Sequence, residues 1–348
     1  MRSRFALVGV ALLAAVAATA TAANAGRAAK AGDQLVGAGS TFVAPLISQW
    51  QKDYPPKTGV NIVYSPIGSG GGIQAITSKT VDFGASDAPL TPDQFAACGD
   101  CVQIPWALGA TAIIYNLSGI PNNLHITGPV LAQIFLGRIR KWNDPALQSL
   151  NPKVKLPNTD ITPVYRSDGS GTSYNFTDYL SKVSPAWKSK IGVSTQPSFP
   201  VGVGGRGSSG VSGVVSKTDG AIGYADIAYA LVNHLKFFFV KNAAGKFAGP
   251  GLRGIAAAAS TITKKSIPAN NEMHIVDPPK TNKVAYPICT FTYVILHTTT
   301  PKAAQLRRFV FYALTQGQQF GPRILFQKIP VPVLVAAEKT LNKIHPPR

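Results

Sequence analysis

Four short segments carry residue types at a spacing that suits the binding of an oxyanion. They are Gly37-Ala-Gly-Ser-Thr-Phe42, Gly68-Ser-Gly-Gly-Gly72, Gly84-Ala-Ser-Asp87 and Arg166-Ser-Asp-Gly-Ser-Gly-Thr-Ser173. Each places Gly, Ser or Thr at a strand-to-helix junction, where unpaired backbone N–H groups collect. A helix N-terminus carries about half a positive charge and presents its donors outward, so it holds an oxyanion without a formal cation. If Thr41, Ser69, Ser170 and Thr172 converge, hydroxyls and N–H groups surround a tetrahedral anion, and Arg166 adds a planar, charged, bidentate donor. One such cluster alone is an ordinary capping turn. Four in one chain, one with an Arg and one with an Asp, describe a dehydrated site for phosphate or sulfate.

Asp87 chooses between those two anions. A carboxylate repels an anion unless the anion keeps a proton to donate, and phosphate keeps one near neutral pH where sulfate does not. Sulfate would leave Asp87 unpaired as well as repelled. The structural alternative for Asp87 is an N-cap or a turn residue ahead of Pro89.

These segments need strands and helices to position them, and the pattern supplies both. Strands are expected at 34–38, 60–65, 81–85, 110–115, 161–165 and 221–224, and helices at 44–54, 71–78, 129–136 and 174–182. Thr127 and Gly137 suit the two ends of the third helix. A strand or strand pair over 284–296, an amphipathic helix over 302–315 and a closing helix over 331–343 complete an α/β order. The tract 243–279 has weak periodicity and reads as one loosely packed helix flanked by loops. No internal repeat is found.

The chain has 348 residues, 45% hydrophobic and 14% charged, enough for two cores rather than one. Arg2 and Arg4, the apolar run 5–20 and Ala23-Asn24-Ala25 follow the order of a secretory leader, so 1–25 is expected to be removed. No later segment is long and apolar enough to span a bilayer, which predicts an exported, soluble protein. In that setting Cys98 and Cys101 suit a small disulfide loop, since sequence spacing offers no two further zinc ligands. Cys289 reads as a buried apolar residue. The formal charge of +19, or +17 without Arg2 and Arg4, is dispersed. It accompanies no nucleic-acid-binding motif, so no nucleic-acid partner is expected.

Other signals are weaker. Gly202-Val-Gly204-Gly-Arg-Gly207 has dinucleotide-fingerprint spacing but no clear strand–turn–helix unit and no placed acid, and reads as a flexible loop beside the anion. The five histidines show no ligand spacing. Ser170 and Thr172 have no evident base, and a hydroxyl without one is a poor nucleophile, so no catalytic residue is assigned.

The same four segments resemble the phosphate-binding protein of Pst-type ABC importers, over most of the chain from Gln34 onward. That family's opening Gly-Ala-Gly-x-Thr-Phe is here Gly37 to Phe42, and its Gly-Ser-x-Gly-Gly is Gly68 to Gly72. Its Asp-Phe-Gly-Ala-Ser-Asp-Ala-Pro-Leu stands intact from Asp82 to Leu90, and its Arg-x-Asp-Gly-Ser-Gly-Thr-Ser from Arg166 to Ser173. Val43 replaces a usual Pro, and Gly70 a common second Ser. The resemblance implies that Thr41, Phe42, Ser69, Asp87, Arg166, Ser170, Gly171 and Thr172 bind phosphate. It also implies a class II periplasmic-binding-protein-like fold of two α/β lobes with the ligand cleft between them. Lobe one would combine 34–108 with 286–348, and lobe two would be 109–285. The implied protein is a monomer without cofactor or metal, and it passes phosphate to the membrane permease subunits of an ABC importer.

Overall fold

The computed structural model describes residues 34–348, so the expected leader at 1–25 lies outside the described residues. The chain opens with β1 (Gln34–Gly39), α1 (Ala44–Thr58), β2 (Asn61–Ser65), α2 (Ser69–Thr77), β3 (Phe83–Ser86) and α3 (Pro92–Cys98), then enters β4 (Cys101–Tyr115). Next come β5 (His125–Ile126), α4 (Gly128–Phe135), α5 (Pro145–Gln148), β6 (Thr162–Arg166), α6 (Gly171–Val183), α7 (Pro185–Lys190), β7 (Val203–Gly205) and α8 (Gly207–Lys217). They are followed by β8 (Ala221–Asp226), α9 (Ile227–Val232), β9 (Lys236–Phe237), β10 (Phe239–Lys241), β11 (Phe247–Ala248) and α10 (Leu252–Ala259). β12 (Cys289–His297), α11 (Ala303–Leu314) and α12 (Val331–Leu341) close the chain.

The main sheet runs β2-β1-β3-β12-β4-β8-β6-β7. β4 is its pivot, because its two ends serve different neighbours. Cys101 to Ala110 pairs antiparallel with β12, and Thr111 to Tyr115 pairs antiparallel with β8. Pro105 has no N–H to donate, and here the ladder slips, with Thr292 opposite Ala107 and Tyr293 opposite Pro105. A bulge of this kind is where a strand tolerates Pro, and it sharpens the local twist. On either side of the pivot the parallel pairs β1/β2, β1/β3, β6/β8 and β6/β7 lie next to the helices that connect them.

Each half has its own core. Phe42, Trp50, Tyr54, Phe83, Trp106 and Phe309 are buried together around β1, β3 and α11, with the Trp50 and Trp106 rings 5.1 Å apart. Tyr115, Phe135, Trp142, Phe176, Trp187 and Tyr224 fill the other half, and Phe176 stacks on Tyr224 at 4.3 Å. Apolar burial at about 25 cal/mol per Å² makes these two clusters the main stabilising element.

The structure revises three readings. β4 starts at Cys101 rather than at 110, because both its faces are buried and the alternation that marks a half-buried strand is missing. The 284–296 strand starts only at Cys289. The Gly-rich stretch at 202–213 is not a loop but the strand–turn–helix of β7 and α8, in which Gly205 lies so close to Val211 that an added Cβ would fall 2.6 Å from its backbone nitrogen. In the tract 243–279 the expected helix is α10, followed by a single 3₁₀ turn, Lys264–Ser266.

Candidate functional site

Three segments meet at the C-terminal ends of β1 and β3. Gly39 lies at φ 140°, a conformation that side-chain-bearing residues avoid, and an added Cβ would fall 2.1 Å from the Ala85 carbonyl oxygen. This close approach lets Ser40 N–H donate to Ala85 O (2.8 Å) and Gly68 N–H donate to Gly39 O (2.8 Å). The starts of α1 and α2 are thereby held against the end of β3, where Asp87 sits. The Ser40 hydroxyl donates to Asp87 Oδ1 and accepts from Phe42 N–H (3.0 Å). Ser69 Oγ accepts from Asp87 N–H (3.2 Å) and donates to Asp87 Oδ2 (3.4 Å). The Phe42 ring points away into the core, edge-on to Phe326 at 5.8 Å.

The other half contributes the starts of α6 and α8. Ser170 caps α6 by accepting from Ser173 N–H (3.1 Å). Gly171 N–H donates to Ser69 Oγ (3.0 Å), and the Asn175 amide donates to both Asp87 O (2.9 Å) and Gly171 O (2.8 Å). Thr41 Oγ1 accepts from Ser208 N–H (3.1 Å) at the start of α8. Four helix N-termini, those of α1, α2, α6 and α8, thus converge on one buried point. Thr41, Phe42, Ser69, Asp87, Arg166, Ser170 and Thr172 are all buried there.

Arg166 behaves differently from the sequence expectation. Its bidentate fork is occupied by Asp168, with Nε 2.7 Å from Oδ1 and Nη2 2.5 Å from Oδ2. Asp168 also accepts from Gly207 N–H (2.9 Å), tying the guanidinium to the start of α8. Burial pushes the Asp168 carboxyl up, but the Arg166 hydrogen bonds and charge outweigh it and hold the group below the usual carboxylate range. Of the five guanidinium donors, those not facing Asp168 remain for an anion.

Asp87 is the unusual group. Burial pushes its pKa up to about 7, against the opposing effects of the Ser40 hydrogen bond, the Arg166 charge and the Ser69 hydrogen bond. Near neutral pH it therefore stands ready either to hold a proton or to accept one. A second sign of a ligand is Thr172 Oγ1, which is buried without a hydrogen-bond partner. An unmatched buried hydroxyl costs about 1–3 kcal/mol, so such a group is retained only where something else satisfies it.

All eight residues singled out in the sequence lie in this cluster or at its edge. Four contributors were not singled out: Ser40, Asn175, Ser208 and Asp168. Ser40 and Asp168 were inside the quoted motifs, and hydroxyl and carboxylate types marked them. Ser208 stands at the start of a helix but outside the four segments that suggested an anion site, and Asn175 sits one helical turn beyond Gly171 with no motif to flag it.

A mixed α/β chain with a pivot strand shared by two sheet halves, and a buried polar site at four helix starts between them, defines a member of the periplasmic-binding-protein class. A family model described as a PBP superfamily domain matches residues 20–316. Among solved structures, a high-affinity periplasmic phosphate-binding protein bound with phosphate superimposes with a TM-score of 0.73 at 22% identity, over 88% of this chain and 93% of that one. A human phosphate-binding apolipoprotein gives 0.70 at 20% identity, over 88% and 93%. The phosphate-binding protein PstS of Xylella fastidiosa is 42% identical over 301 residues, 85% of this chain and 82% of its own length. That of Haemophilus influenzae is 37% identical over 306 residues, 87% and 90%. The chain belongs to the PstS family of phosphate-binding proteins.

Proposed function

We propose that this protein captures inorganic phosphate between its two lobes and delivers it to an ABC-type importer. The observation that carries the reading is Asp87, a buried carboxyl with a pKa of about 7 among hydroxyls and helix N-termini. The environment attracts an anion, and the carboxylate admits only an anion that brings a proton. Lobe one is 34–108 with 286–348, and lobe two is 109–285. In this reading Thr41, Phe42, Ser69 and Asp87 contact the ligand from lobe one, and Arg166, Ser170, Gly171 and Thr172 from lobe two.

The test is calorimetric titration of the phosphate-stripped protein with phosphate and, separately, with sulfate. One-to-one phosphate binding at micromolar or tighter affinity, with sulfate far weaker, is the expected result; no phosphate binding overturns the reading. Thr172→Val removes a hydroxyl that has no protein partner. It should raise the thermal stability of the ligand-free protein, by removing an unmatched buried hydroxyl, while lowering phosphate affinity about tenfold, the worth of one ordinary hydrogen bond.

Gly171→Ala tests closure. An added Cβ would lie 2.7 Å from Asp87 Cβ, Asp87 N and Ala88 N, across the cleft and mostly against backbone. The lobes would have to stand apart, at a cost of about 1–3 kcal/mol. Phosphate affinity should fall about 10–100-fold with little change in ligand-free stability, since neither core is touched.

The same polar network argues for binding rather than turnover. The Ser40 and Ser69 hydroxyls are bonded to Asp87, and among the described residues no histidine lies among the site's hydrogen-bond partners. Release of product from a chromogenic phosphate ester would contradict this. The protein is exported as a monomer, acts outside the cytoplasmic membrane and docks on membrane permease subunits. Among the described residues no helix is long and apolar enough to cross a membrane.

A further inference from the structure

At the end of the sheet away from the anion site, the fold assembles a cluster that sequence spacing does not reveal. β12 runs from Cys289, opposite Ala110, to His297, opposite Cys101, so the two ends of this pairing lie about 27 Å apart along the strands. Cys98 ends α3, Cys101 opens β4, and the two form a disulfide with their Cα atoms 5.6 Å apart. The His297 ring is buried against them, with Nδ1 3.8 Å from Cys101 Sγ. Nε2 lies 2.9 Å from the Ile76 carbonyl oxygen, to which it donates, and Nδ1 faces the sulfurs and the Asp100 carboxylate. Asp100 Oδ1 is 2.5 Å from the same Nδ1, while Oδ2 accepts from the Thr298 hydroxyl (3.1 Å) and Thr299 N–H (3.0 Å).

We propose that Cys98, Cys101 and His297 form a redox-gated site for a thiophilic divalent cation such as zinc, with water in the fourth position. The two sulfurs and a ring nitrogen all lie within 4.8 Å of one another. Tetrahedral zinc, with bonds of 2.0–2.3 Å, places neighbouring ligand atoms about 3.6 Å apart, close to the Cys101–His297 separation. A ligating histidine typically donates its other N–H to a carbonyl or carboxylate, as His297 does to Ile76. As a plain staple the disulfide constrains the unfolded chain less than a bridge across a longer loop would.

The gate is the sulfur–sulfur bond. A dithiol reductant gives it two electrons and two protons and itself closes to a disulfide, leaving two thiols. Cation binding then releases those two protons, displaces any proton held between Nδ1 and Asp100, and forms two metal–thiolate bonds and one bond to Nδ1. The oxidised protein has no thiolate to offer and does not bind.

The experiment titrates Co²⁺ and Zn²⁺ into the dithiol-reduced protein after removal of reductant, with the oxidised protein alongside. One equivalent should bind only to the reduced form, with a thiolate-to-cobalt charge-transfer band and release of at least two protons. His297→Gln should weaken binding about 100-fold, and Cys98→Ser should abolish the band, while both variants still bind phosphate. X-ray absorption of the zinc-loaded unsubstituted protein should show two sulfurs and two nitrogen or oxygen neighbours. An equal response of oxidised and reduced protein, a zinc shell without sulfur, or undiminished binding by a phosphate-competent His297→Gln protein overturns the proposal.

Discussion

Replacing Asp87 with Asn should collapse the preference for phosphate over sulfate by about 10⁴-fold, with phosphate weakened and sulfate strengthened. Sites built around one hydrogen bond of this kind reject an analogue lacking it by roughly 10⁴–10⁵. In the native site, the Asp87 oxygens already receive the Ser40 and Ser69 hydroxyls, and the remaining acceptor capacity faces the anion. A protonated phosphate oxygen donates to it. A sulfate oxygen cannot, and meets like charge in a place where water does not screen it. Asn keeps the shape but carries no charge, and its amide N–H donates to any oxyanion, so the repulsion disappears together with the selection. Titration of both proteins with both anions measures all four affinities. If the Asn variant keeps the native phosphate-to-sulfate ratio, Asp87 is not the discriminator.

The α/β fold class and the segments that form the candidate site were both legible in the sequence, and some element bounds were not. The motifs at Gly37, Gly68, Gly84 and Arg166 keep their meaning in a linear string, because each contains both its turn and the hydroxyl or charge the turn presents. Where the chemistry depends on distant partners, the string is silent. Arg166 looked free to fork onto an anion, yet Asp168 two residues away takes the fork. His297 looked isolated, yet the β4/β12 register places it beside Cys101, 196 positions away. The element readings that needed revision share a related reason. β4 and α8 are buried or Gly-rich, so neither period 2 nor period 3.6 marks them, and only their neighbours decide their conformation.

Stripped of phosphate, the protein should be more stable at pH 5 than at pH 8, and Asp87→Asn should remove much of that difference. In the native state Asp87 titrates near 7, and in the unfolded chain near the ordinary carboxyl value of 3.8. Between those values the native state keeps a proton that the unfolded chain has released. Stability therefore falls as pH rises through the window and levels off above it. Each pH unit of separation is worth about 1.4 kcal/mol, so the Asp87 contribution lost between pH 5 and 8 is about 3 kcal/mol. Asp226 acts in the same direction. It is buried at the end of β8, where burial pushes its carboxyl well above the usual range and Oδ2 has no partner. Asp100 and Asp168, whose pKa values are depressed, contribute stability that is lost only below about pH 4, outside this window. Self-repulsion of the basic chain grows on acidification, but it is common to both proteins and cancels in the comparison. Denaturant unfolding at the two pH values, with and without the substitution, isolates Asp87. Equal pH dependence in the two proteins would mean that Asp87 already sits in water before phosphate arrives, which requires the ligand-free lobes to stand open.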